Sequence, residues 1–152
     1  MAIVELKIDP ANLLGKELTP LDTELAFLFI DIFYLLCIQK EYGSTKNYIY
    51  EYGASIRNIN YSSPFSAVTF FKNISVSTAK RLFEMITYYP QEKEKRELAN
   101  TEKKLDLLEK ARALRNRLIK DGIPSDEATK LIMQILSNQN ATLLISGPEK
   151  DI

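Results

Sequence analysis

From Leu25 to Ile38 the chain runs 14 residues with one charge, Asp31, near its centre. A membrane-spanning helix needs about 20 apolar residues. This run is shorter, and it carries its charge where charge is most costly, so it reads as a buried helix of a folded domain. Its flanks support that reading. Thr19-Pro20 offers a hydroxyl cap followed by proline at the first helical position. Asp22 and Glu24 suit the first turn, and Gly43 stands where a left-handed glycine ends a helix reaching about Glu41. Leu25, Leu28, Phe29, Ile32, Leu35 and Leu36 keep helical spacing, while Phe27, Ile30 and Phe33 widen the stripe into a belt. A helix apolar most of the way round must be covered on several sides, by a sheet and by a further element or a second subunit.

The segments around it supply a sheet. Residues 2–8 alternate, with Val4, Leu6 and Ile8 on one face and Ile3, Glu5 and Lys7 on the other, which predicts a half-buried strand stopped by Asp9-Pro10. Residues 46–61 read as a hairpin, with Tyr48, Tyr50 and Tyr52 on its first strand, a turn at Gly53-Ala54-Ser55, and a return from Ile56 to Tyr61. Ser62-Ser63-Pro64 reads as a helix start, and a second helix is expected from Phe65 to about Tyr88, with a break or kink at Ser75-Val76-Ser77-Thr78. Pro90 ends it.

Composition then changes. From Gln91 to Asp121 there are 17 charges in 31 residues and no aromatic side chain, the signature of a long helix. Leu107, Ala111, Leu114 and Leu118 recur at helical spacing within it. Gly122-Ile123-Pro124 stops it, and Ser125 caps a last helix carrying Ala128, Leu131, Ile132, Ile135 and Leu136, so residues 91–137 predict an antiparallel helical hairpin. Ala141 to Ser146 is a candidate final strand. The expected class is α+β: a small antiparallel sheet with packed helices in the order β-α-β-β-α, followed by a charged C-terminal hairpin. The order becomes that of the split β-α-β, ferredoxin-like arrangement if residues 141–146 return to the sheet. The division drawn from composition is a body over 1–89, an arm over 90–138, and a short strand and tail over 139–152.

Several chemistries are excluded by what is missing. The 152 residues contain no His, no Trp and a single cysteine, Cys37. Cys/His zinc sites, imidazole acid–base catalysis and disulfides within the chain are therefore absent. The five glycines each fall at a turn or cap position, so no phosphate loop is available. No cofactor or metal is expected, and no catalytic constellation is visible. Met1-Ala2-Ile3-Val4-Glu5 lacks the basic start of a secretory signal; with one free cysteine the expectation is a cytoplasmic protein, not a membrane one. Cys37, among Leu35, Leu36 and Ile38, reads as core filler.

Four features bear on function. Asp31 is a proton-transfer group if buried without a partner, a solvated residue if it faces the rim of the helix, or half of a structural salt bridge with a cation such as Arg57 or Lys80; the rim or the salt bridge is expected. Tyr48, Tyr50 and Tyr52 on one strand face, together with Arg112, Arg115 and the other cations of 110–120, would suit a nucleic-acid surface. The same residues are also explained by strand preference and by cations complementing a helix C-terminus. Lys plus Arg equals Asp plus Glu at 20 each, which disfavours phosphate binding as the main role. The apolar excess of the first helix, including Phe27 and Phe33, and the narrow stripe of Leu107, Leu114 and Leu118 point instead to assembly. The expected role is a non-enzymatic interaction or oligomerisation module, an adaptor or regulator, that partners itself as a dimer or binds another protein.

Overall fold

A computed structural model describes residues 3–10, 19–43, 53–60, 66–87, 101–120, 127–128, 130–131 and 139–146. Among the described residues the protein is α+β, with a small four-stranded antiparallel sheet and three helices. In chain order these are β1 (Ile3–Pro10), α1 (Pro20–Tyr42), β2 (Ala54–Asn60), β3 (Ser66–Phe71), α2 (Val76–Thr87), α3 (Thr101–Lys120) and β4 (Gln139–Ser146). The strands lie in the order β2-β3-β1-β4, each pair antiparallel.

Helix α1 forms where its caps direct. Thr19 and Asp22 make a reciprocal capping box: the Asp22 carboxylate accepts from the Thr19 N–H at 3.1 Å, and the Thr19 hydroxyl accepts from the Asp22 N–H at 3.3 Å. Gly43 ends the helix at φ 77°, its N–H donating to the Gln39 carbonyl at 2.7 Å.

The period-two alternation of β1 puts Val4, Leu6 and Ile8 under the helices, all fully buried, while Ile3, Glu5 and Lys7 face the other way. Phe33 of α1 stacks on Phe71 of β3 at 5.8 Å between centroids and meets Phe83 of α2 edge-on at 6.2 Å. Helix α3 covers a further side of α1, burying Leu107, Ala111, Leu114 and Leu118 in the same core. Sheet, α2 and α3 together cover most of the apolar belt, leaving Phe27 and Leu28 half-buried.

The hairpin and second helix read from the sequence require correction. Ala54 and Ser55 are not a turn; they open β2 and pair with Phe71 and Phe70. Residues 66–71 are not helical but form β3, with Ala67, Thr69 and Phe71 buried and the intervening residues half-buried. The competing signal was the proline-led start at 62–64, and pairing with two neighbouring strands outweighed it. The expected kink at Ser75 is the true start of α2. The Ser75 hydroxyl accepts from the Thr78 N–H at 3.2 Å, and the Glu41 carboxylate accepts from both hydroxyls, fastening the end of α1 to the start of α2. Strand β1 continues through Asp9 and Pro10, paired with Asn140 and Gln139. Residues 141–146 do rejoin the sheet, within β4 beside β1. Tyr48, Tyr50 and Tyr52, residues 91–100 and most of the expected last helix lie outside the described residues.

Candidate functional site

Glu24 and Asp31 lie two turns apart on α1, and Arg112 and Arg115 lie one turn apart on α3. The helices bring them together as the pairs Arg112–Glu24 and Arg115–Asp31. A third pair, Lys104 with Asp22 at 2.8 Å, sits nearer the start of both helices and is largely buried. The three contacts advance in the same sense along both helices, so α3 runs parallel to α1.

Beside these pairs α1, the β2–β3 side of the sheet and α3 enclose a groove of about 650 Å³. Its wall on α1 is Phe27, Leu28, Ile30 and Leu35, and Ile119 contributes from α3. Ala54, Ile56 and Thr69 contribute from the sheet, and both arginine–carboxylate pairs stand among these apolar side chains. Thr69 belongs to the row Leu143, Leu6, Thr69, Ile56 that crosses all four strands on the helix-covered face. It is 2% exposed, and its hydroxyl has no hydrogen-bond partner among the described residues. Ile56, on the same face at β2, is 51% exposed because no described helix reaches over it.

The residues singled out from the sequence are placed as follows. Leu107, Leu114, Leu118 and Phe33 are buried within the chain's own core, whereas Phe27 is half-buried and reaches the groove. Asp31 is partly buried beside the groove and pairs with Arg115, whereas the cations named for it from the sequence are Arg57 and Lys80. Arg57 instead lies over the Phe70 ring, 4.4 Å from its centroid, on the opposite face of the sheet. Of the cations between 110 and 120, Lys110 pairs with Asp106 and Arg117 with Glu127, each at 3.0 Å, so with the two groove pairs four are matched to carboxylates of the same chain.

Cys37 is fully buried, and its thiol is pushed far up by burial and then by the nearby Glu41 charge, which makes it inert as a nucleophile. Among the described residues no three His, Cys, Asp or Glu side chains are grouped to hold a metal ion, and no helix is long and apolar enough to cross a membrane. The groove itself was not legible from the sequence. Its one available sign is a threonine in an otherwise apolar row, which becomes visible only once 66–71 is read as a strand.

No known protein family matches the chain, nor does any curated protein or solved structure.

Proposed function

We propose that the protein is a non-enzymatic oligomerisation module that pairs with a second copy through the open face of its sheet. The observation that carries this is the outward face itself. Among the described residues no element covers it, and it presents Ile3 at 42% and Leu144 at 37% exposure beside half-buried Val68 and Phe70. Glu5 and Lys7 stand among them on β1 with opposite charges, two residues apart on one face and without a partner among the described residues. A two-fold axis through such a patch sets Glu5 of one copy against Lys7 of the other. Four strands at their usual spacing and about 20 Å long give a footprint of about 400 Å² per copy, or about 800 Å² in all, which is below the range of stable specific interfaces and within that of weak, transient ones. The dimer is therefore expected to be in exchange with monomer.

The wider architecture in this reading is the split β-α-β, ferredoxin-like arrangement, supported by the order β2-β3-β1-β4 with antiparallel pairs. Helix α3 would be the first arm of a C-terminal hairpin, supported by helical residues at 127–128 and 130–131, buried Ala128 and the Arg117–Glu127 pair. Action in the cytoplasm as an adaptor or regulator belongs to the same proposal. A nucleic-acid surface is the weaker alternative, because the cations it needs at 112 and 115 are engaged by Glu24 and Asp31.

Light scattering after size exclusion tests the proposal across protein and salt concentrations. Mass should rise with concentration, Glu5→Lys should hold the chain monomeric, and the double change Glu5→Lys with Lys7→Glu should restore the dimer. A monomer at every concentration, or a dimer indifferent to Glu5→Lys, overturns it. Salt-sensitive retention of an oligonucleotide by a monomer would favour the alternative.

A further inference from the structure

We propose that the groove between α1, the β2–β3 side of the sheet and α3 is a binding site for an uncharged, elongated apolar molecule bearing one hydroxyl or carbonyl group. Four observations converge on that chemistry. The volume, about 650 Å³, is that of a small-molecule site. Apart from Glu24, Asp31 and Thr69, the lining from α1 and the sheet is aliphatic and aromatic, with Phe27 and Ile56 presenting apolar surface that the chain leaves partly uncovered. The charges at the groove cancel in place, Arg112 against Glu24 and Arg115 against Asp31. A charged head group would compete with these pairs for the same partners, whereas a neutral one leaves both intact.

The fourth observation is Thr69. Its row is otherwise Leu143, Leu6 and Ile56, its hydroxyl is buried, and that hydroxyl has no partner among the described residues. Valine has the same shape without the hydroxyl, so an apolar row gains nothing from threonine unless something hydrogen-bonds to it. Thr69 lines the groove, and a ligand hydroxyl or carbonyl lying along the sheet is the partner of the required polarity. The binding is non-covalent, and the groove's carboxylates are held in ion pairs, so the inference is capture of the molecule and not its conversion.

The probe is 1-decanol, with decanoate and decylamine as charged controls, followed by thermal shift and by titration calorimetry. The protein is kept at a concentration where light scattering gives a single species. Decanol should raise the melting temperature in a saturable way, and the two ions should not at equal concentration. Thr69→Val should melt higher than the natural chain without ligand, yet bind decanol between about three- and tenfold more weakly. Ile56→Asp, at a half-exposed position where the fold tolerates a charge, should abolish the shift. No saturable shift with decanol, equal binding of decanoate, or undiminished decanol binding by Thr69→Val each overturns the inference. In the last case Thr69 would be a structural residue only.

Discussion

Tyr34 shows how much one side chain organises here. It is 1% exposed, and its hydroxyl accepts from the Gly53 N–H and donates to the Lys72 carbonyl, both at 3.0 Å. One phenol on α1 thus joins the residue before β2 to the residue after β3. Gly53 is required beside it: a Cβ there would stand 2.9 Å from that oxygen and 2.7 Å from the Lys72 Cβ. Tyr34→Phe keeps the ring on Phe71 and removes both hydrogen bonds. It is expected to cost about 1–2 kcal/mol, seen as a fall of roughly 3–6 °C in melting temperature for a chain of this size. An unchanged melting temperature would show that the bridge carries no net stability. Burial raises the phenol above its ordinary 10.0, a push that the Gly53 N–H only partly opposes and the neighbouring Tyr42 and Cys37 reinforce. The group's contribution is therefore fully present below pH 10 and is lost as pH rises through the higher folded value. None of this bridge was legible in the sequence, because it depends on Ala54 opening a strand rather than completing a turn.

At the scale of elements, a helix's caps and a strand's alternation are legible within its own residues, whereas a stop such as Asp9-Pro10 yields to pairing with a neighbouring strand. Helix α1 announces both ends in its own residues, and β1 announces its buried face by alternation. Strand β3 failed because Ser66 to Phe71 is too short to show its period against a proline-led helix start, and only its pairing partners decide it. The ion pairs across α1 and α3 were half legible. A rim position or a salt bridge is what the sequence predicts for Asp31, but Arg115 is 84 residues distant in sequence, and no spacing rule connects them.

Asp22 carries the clearest consequence at this scale. Burial alone would raise its carboxyl, but hydrogen bonds from Lys104 and from the Thr19 N–H and hydroxyl outweigh burial and hold it below its ordinary 3.8. A depressed folded value means this stabilisation is present above about pH 4 and is lost as pH falls through the folded value. Asp22→Asn should therefore cost about 3 kcal/mol at neutral pH, since it leaves the Lys104 ammonium largely buried without its counter-charge. The deficit should shrink toward acid. Urea unfolding at pH 7 and pH 3 measures it, and an equal deficit at both would show that the carboxylate's charge is not what matters.

Across the whole molecule the question is whether the charged helix is an arm or part of the body. Composition draws a boundary near residue 90, yet Leu107, Leu114 and Leu118 lie in one continuous core with Phe29, Phe33 and Leu6. Helix α1 explains why: its apolar belt is too wide for the sheet alone to cover, so α3 extends that cover. Strand β4 then returns from beyond α3 to pair along the whole of β1, so the chain on both sides of α3 is fixed to the same sheet. A helix held this way cannot dissociate without exposing α1 to water. Leu118→Ala, at a fully buried position, should cost about 2–5 kcal/mol. It should lower the midpoint of one shared transition, not release α3 first. Far-UV dichroism reports the helices and near-UV dichroism reports the packing of the tyrosines, buried Tyr34 among them, so the two curves should coincide in the natural chain and in the variant. An early far-UV transition in Leu118→Ala, with the tyrosine signal unchanged, would instead make α3 an independent arm. It would also mean that the sheet and α2 suffice to hold α1.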